Sequence, residues 1–87
     1  MKNNIDRKIN EIEKGIYSFR EIGDLNIKNQ IANILIEKYS KNELSDIALK
    51  SLIDFYIDQI IIFKRYDIDS VPIEVRELVK DNINKLK

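Results

Sequence analysis

Apolar side chains return every three or four residues along most of this chain, which has only two glycines and one proline, Gly15, Gly23 and Pro72, to interrupt them. Such spacing gathers the apolar residues on one face of a helix, whereas a half-buried strand needs strict alternation. Near the start the apolar positions are Ile5, Ile9, Ile12, Ile16 and Phe19, with Ile22 one step off. The pattern predicts a first helix over residues 4–22, with Asn3 or Asn4 as its cap, because an asparagine side chain accepts a hydrogen bond from a free first-turn N–H. Gly15 falls inside it, where glycine costs about 1 kcal/mol relative to Ala and offers a place to kink or break. Gly23 is the better stop, since glycine tolerates the left-handed conformation that follows a last turn.

Asp24 or Asn26 caps the second expected helix, over 25–39, whose apolar face is Ile27, Ile31, Ile34, Leu35 and Tyr39. Ser40 followed by Glu43 has the spacing of a capping box and predicts a third helix over 41–66. Its apolar residues, from Leu44, Ile47 and Ala48 through Leu52 and Phe55 to Ile60, Phe63 and Tyr66, cover more than one face, as in a central and deeply buried helix. The β-branched run from Ile57 to Ile62 admits a strand, which is rejected because no other segment offers a strand partner. Pro72 is suited to a first helical turn, where its missing N–H is not needed. It opens a last helix over 72–86, with Ser70 or Val71 as cap and Val75, Leu78, Val79, Ile83 and Leu86 as the apolar face. Short connections at 23–26 and 39–41 favour antiparallel neighbours. The expectation is therefore an all-α, single-domain antiparallel four-helix bundle over 1–87 with a long central third helix. At 1.5 Å per residue that helix would measure about 38 Å and must overhang or bend.

Composition restricts the chemistry. The 87 residues contain no His and no Cys. That removes thiolate nucleophiles, disulfides, Cys-type metal sites and the residue whose unperturbed pKa lies near neutrality. Ser–His–Asp and Cys–His arrangements are impossible within the chain. The two glycines, eight apart and with no Gly-Lys-Ser/Thr nearby, make no phosphate-cradling loop. Carboxylates acting with magnesium remain open. The expectation is a protein that is not an enzyme and uses no cofactor or metal. Fifteen Lys and Arg balance fifteen Asp and Glu. A dedicated nucleic-acid or membrane-surface binder usually carries a basic excess, so neither partner is expected. The segment Met1–Arg7 lacks the apolar core of a signal peptide, and the longest apolar run, Ile60–Phe63, is far short of the ~20 residues that span a bilayer. A soluble, cytoplasmic protein is expected.

Three features bear on a binding role. Asp54 and Asp58 are four apart and so share a helical face, where like charges repel; Asp67 and Asp69 follow in a turn, then Glu74, Glu77 and Asp81. From Asp54 to Asp81 seven acids stand against four bases, a balance of −3 that the flanks offset. Acids placed where they repel one another suit a basic partner; the plainer account is a solvated helix face and an Asp-rich turn. Tyr17, Tyr56 and Tyr66 stand off the main apolar stripe or beside carboxylates, a composition common at protein interfaces. Alternatively each ring, as expected of Tyr39, closes the edge of a small core with its hydroxyl in water. The partner-binding candidates are Asp54, Tyr56, Asp58, Tyr66, Asp67, Asp69 and Glu74. The basic residues are interleaved with acids, as in Arg7, Glu11 and Lys14, which are spaced for helical ion pairs. Lys28, Asn29, Gln30 and Asn33 give only a sparse match to a DNA-recognition helix. Ile57, Ile61 and Ile62 lie outside the main stripe of the third helix and could form a homodimer seam.

The segments Gly15-Ile16-Tyr17-Ser18-Phe19 and Ile73-Glu74-Val75-Arg76-Glu77-Leu78, about an eighth of the chain together, resemble small all-α immunity proteins of the colicin D kind and those of contact-dependent growth inhibition systems. The resemblance implies stoichiometric inhibition: such proteins bind a nuclease toxin domain and cover its active or substrate-binding face. Asp54, Asp58, Asp67 and Asp69 would then pair with toxin Lys and Arg groups that otherwise hold phosphates, with Tyr56 and Tyr66 as anchors. The chain departs from many such proteins in being neutral overall. The same physics would serve a phage or mobile-element inhibitor of a host enzyme, and a small DNA-binding regulator is a third alternative.

Overall fold

The computed structural model describes the backbone of residues 2–86 and the side chains of residues 5–86. Regular structure among them is entirely helical. Four α-helices follow one another: α1 (Lys2–Glu13), α2 (Leu25–Ser40), α3 (Asp46–Ile57) and α4 (Ile73–Leu86). Two 3-10 turns, Phe19–Glu21 and Ile68–Ser70, and a wide π-helical turn, Asp58–Ile62, lie between them. The chain divides into two compact units at the Leu52–Ile53 bond, within α3.

In the first unit the expected helix over 4–22 is cut short, and Gly15 rather than Gly23 is the stop. Gly15 has φ +77°. Its N–H donates to the Ile12 carbonyl at 3.1 Å, and the next N–H, of Ile16, donates to the Glu11 carbonyl at 2.9 Å. These two bonds are the Schellman pair that satisfies the last carbonyls of a helix. Gly23 lies in the connection before α2 with no left-handed φ. Asn3 and Asn4, the expected caps, fall inside α1, and their side chains lie outside the described residues. After the stop, Ser18 opens the 3-10 turn. Its Oγ accepts from the Arg20 N–H at 3.2 Å, while Glu21 Oε2 accepts the Ser18 N–H at 2.8 Å. Asp24 caps α2 as expected, accepting from Asn26 N–H at 2.8 Å.

The expected capping box at Ser40 and Glu43 is not formed. Ser40 is the last residue of α2, and its hydroxyl donates back to the Glu37 carbonyl at 2.8 Å. Asn42 takes a left-handed conformation, φ +59°. Its N–H donates to Tyr39 O at 3.0 Å and the Glu43 N–H to Lys38 O at 2.8 Å, a second Schellman pair. Helix α3 is capped instead by Ser45, whose Oγ accepts from Ala48 N–H at 3.2 Å. Glu13, at the end of α1, ties these pieces together: Oε2 accepts the Ser45 N–H at 3.2 Å, its backbone carbonyl accepts the Ser45 hydroxyl at 3.1 Å, and Oε1 pairs with Lys38 Nζ at 3.2 Å. Ile9, Ile12, Phe19, Ile22, Ile31, Ala32, Leu35, Ile36, Ala48 and Leu52 are buried. Ile34, expected on the inner face of α2, is exposed, and Ala32 and Ile36 are buried in its stead.

In the second unit the expected helix over 41–66 proves shorter, since α3 and its π turn cover Asp46 to Ile62. At 1.5 Å per residue this is about 25 Å, so the long overhang disappears. The π turn closes with the Phe63 N–H donating five residues back to Asp58 O at 2.9 Å. Lys64 then adopts φ +54°, and the Gln59 carbonyl accepts from both Arg65 N–H, 2.8 Å, and Tyr66 N–H, 3.3 Å. The stop is a Schellman-like reversal widened by one residue, with a lysine where glycine is usual. Beyond it, Ser70 is not a helix cap: its N–H and hydroxyl both donate to Asp67 Oδ1, each at 3.1 Å, and close the turn that precedes Pro72 and α4. Ile53, Phe55, Tyr56, Val71, Val75 and Val79 are buried, as are Asp58 and Gln59. Val75 and Val79 form the inner stripe of α4, each burial being favourable by about 1.5–3 kcal/mol, while Leu86, expected on that stripe, is exposed.

Candidate functional site

All seven partner-binding candidates belong to the second unit, and they separate into an inner and an outer group. Tyr56 and Asp58 are inner, 4% and 6% exposed. The Tyr56 ring lies 5.0 Å from Phe55 and 6.4 Å from Tyr66 between centroids, and Tyr66 meets Phe55 edge-on at 6.4 Å. Such tilted and edge-on contacts are the favoured aromatic geometries. Burial raises the Tyr56 hydroxyl well above the ordinary tyrosine pKa, and the nearby Tyr66 and Glu74 raise it further. Tyr56 is thus a core ring, packed beside the half-buried Tyr66. Asp54 is half-buried and Asp58 buried, so these two do not form the open ridge expected from their spacing. A side chain that is four residues from another on one helical face faces water only if that face does, and here the face turns inward.

The outer group is Asp67, Asp69 and Glu74, all exposed. Asp67 caps the 3-10 turn through Oδ1. Asp69 lies within that turn, and its carbonyl accepts from Arg76 Nη2 at 3.0 Å. Arg76 also donates from Nε and Nη2 to Val71 O, at 3.1 and 2.9 Å. Glu74 stands in the first turn of α4, where a carboxylate complements the helix dipole. The three carboxylates therefore sit on a short segment whose backbone is fixed at both ends, by Asp67 in front and Arg76 behind.

Arg76 and Gln59 were not among the sequence candidates. A cation near a helix N-terminus opposes the dipole, and that local misfit is the signal Arg76 carries: its guanidinium turns back to the preceding carbonyls. Gln59 is 1% exposed, and its amide oxygen has no hydrogen-bond partner. Tyr17, in the first unit, is half-buried, with Lys8 Nζ 5.8 Å from its ring centroid.

The wide turn contributes Ile60 and Ile61 to an open cleft of about 580 Å³, whose other lining residues include Tyr66, Asp67, Ile68, Lys80 and Ile83. Next to it along the chain, Ile62 and Phe63 are exposed, and Arg65 stacks on the Phe63 ring at 5.0 Å. Among the described residues no three carboxylates converge as metal ligands would, and no helix is long and apolar enough to cross a membrane. Comparison with known protein families, curated proteins and solved structures finds no match to this chain.

Proposed function

We propose that this chain is a non-enzymatic, cytoplasmic protein-binding inhibitor of the immunity kind, which neutralises a cognate bacterial nuclease toxin by covering its active or substrate-binding face. The observation that supports this is the outer group, three exposed carboxylates on a segment held by Arg76 and Asp67. A fixed segment loses little conformational freedom on binding, so more of the contact energy appears as affinity. Nucleases hold phosphates with Lys and Arg, and these same groups would meet Asp67, Asp69 and Glu74. Asp54 and Asp58, half-buried and buried, stand back from the contact, and Tyr66 supplies the ring at its edge. The antiparallel four-helix arrangement inferred from the short connections belongs to the same proposal.

Exposed charges at an interface act chiefly on association rate and on its salt dependence. The test is stopped-flow binding to the toxin encoded beside this gene, with Asp69→Lys and Glu74→Lys combined. Both residues are exposed, and Asp67 is left in place because it caps a turn. Association slowed by about tenfold or more at low salt, with the gap closing at high salt, is expected. An unchanged rate at low salt would refute the assignment of this face.

A further inference from the structure

Gln59 stands four residues after Phe55 and three after Tyr56, while Phe63 and Tyr66 stand four and seven after Gln59. In an unbroken α-helix all five would share one face. Phe55, Tyr56 and Gln59 are buried accordingly, but Phe63 is 49% exposed. The wide turn at Asp58–Ile62 takes it out of register, and the left-handed Lys64 then reverses the chain. This ending carries three costs close together. Gln59 Oε1 is buried and unpaired, which forfeits the bonds it would make in water. Lys64 holds a conformation in which its Cβ crowds the following carbonyl. Phe63 leaves much of its ring in water.

What holds the reversal is chiefly Tyr66. Its ring is brought to 6.4 Å from both Phe55 and Tyr56, and the Gln59 carbonyl accepts from the Arg65 and Tyr66 N–H groups. Arg65 adds its stacking on Phe63. A helix continued through Tyr66 would carry that residue about 15 Å along the axis from Tyr56. The ring cannot make these contacts and extend the helix at once, so the two endings are discrete alternatives. Strain held in place by a competing contact is the setting in which bistable elements occur.

We propose that the end of α3 is a two-state device. In its second state the wide turn relaxes to α-helix, the helix runs through Tyr66, Phe63 joins the buried stripe, and Tyr66 leaves Phe55 and Tyr56. Residues 67–72, about 20 Å when extended, follow once the turn closed by Asp67 and Ser70 opens. The acidic segment then loses the anchorage that Asp67 supplies in front, so the second state is an off state for a partner that meets Asp67, Asp69 and Glu74. That consequence rests on the toxin-binding reading; the device is tested on the free chain, so either can fail without the other.

Saturation-transfer NMR of the full chain reads the chemical shifts of a minor state that exchanges on the millisecond scale. A state populated at about 0.1–10% is expected, with helical Cα shifts at Phe63, Arg65 and Tyr66. Lys64→Gly relieves the left-handed strain of the first state and weakens the helix of the second, so the minor population should fall about tenfold or more. Tyr66→Ala removes the ring that holds the first state and should raise that population about tenfold. It decides the matter where the wild-type population is below detection, and Tyr66→Leu replaces it if it unfolds the chain. Coil-like minor shifts would mean that the segment frays rather than extends, and overturn the proposal. So does a minor population that Lys64→Gly leaves unchanged, or the lack of any second state in both the wild type and the Tyr66 variant.

Discussion

Ser18-Phe19-Arg20-Glu21 and Ser40-Lys41-Asn42-Glu43 have the same S-x-x-E spelling and opposite structural meanings. At Ser18 the serine and glutamate bond reciprocally and open a turn. At Ser40 the serine closes a helix, and the glutamate's backbone N–H, rather than its side chain, makes the bond. What precedes each motif decides. Ser18 follows the stop at Gly15, so the chain arrives free to start anew. Ser40 follows the unbroken stripe Ile31, Leu35, Ile36, and the helix already under way, which passes Asn29 and Asn33 without stopping, ends where that stripe gives out and a residue able to reverse the chain follows. Asn42 is that residue, and asparagine is second only to glycine in the left-handed conformation. A capping motif is therefore legible only together with the stop ahead of it.

The largest effect that separates the two sites is expected at Ser45, the residue that does for α3 what the spelling assigns to Ser40. Ser45→Ala removes the acceptor for the Ala48 N–H and the donor to the Glu13 carbonyl, and should cost about 1–2 kcal/mol in chemical denaturation. A loss below about 0.5 kcal/mol would mean that α3 has another start. Gly15→Ala comes next. An added Cβ would meet only the Ile47 side chain, Cγ2 at 3.4 Å and Cδ1 at 3.7 Å, ordinary contact, so the cost is conformational. The left-handed penalty of about 1–2 kcal/mol, less the 0.4–1 kcal/mol gained by restricting the unfolded chain, leaves a loss near 1 kcal/mol. If the variant is instead stabilised, α1 has continued through the stop and the expected helix over 4–22 has been recovered.

The fold class and most helix bodies were legible because periodicity and burial agree in Ile9, Ile12, Ile31, Leu35, Leu52, Val75 and Val79. The ends of the helices were less so. The turn at Asp58–Ile62 is widened by one residue, and the apolar run Ile60 to Ile62 carries no mark of that change in period. The candidate site was half legible for a related reason. Charge and spacing put Asp58 beside Asp54 on one face, yet whether that face meets water depends on what packs over it. Asp67, Asp69 and Glu74 flank Pro72, in the turn before it and the first helical turn after it, and there the side chains are exposed, as an acidic surface requires. Tyr56 shows the converse, a ring expected at the edge of a contact and found 4% exposed.

The two S-x-x-E sites give the sharpest contrast when each serine is truncated. Ser18→Ala loses the acceptor for the Arg20 N–H and leaves Glu21 bonded to the Ser18 N–H alone. Half of a reciprocal cap on a three-residue turn should cost about 0.5–1 kcal/mol. Ser40→Ala, the smallest effect, should lie within about 0.5 kcal/mol of zero. Its hydroxyl only returns to the carbonyl three residues back, at an exposed position, and alanine has the higher helix propensity. The backbone bonds that end α2, from Asn42 and Glu43, do not involve that side chain. Urea denaturation of both variants under one buffer measures the difference directly. Equal losses at the two sites would show that Ser40 caps α3 after all, and a loss at Ser40 shared by Glu43→Ala would restore the capping box there.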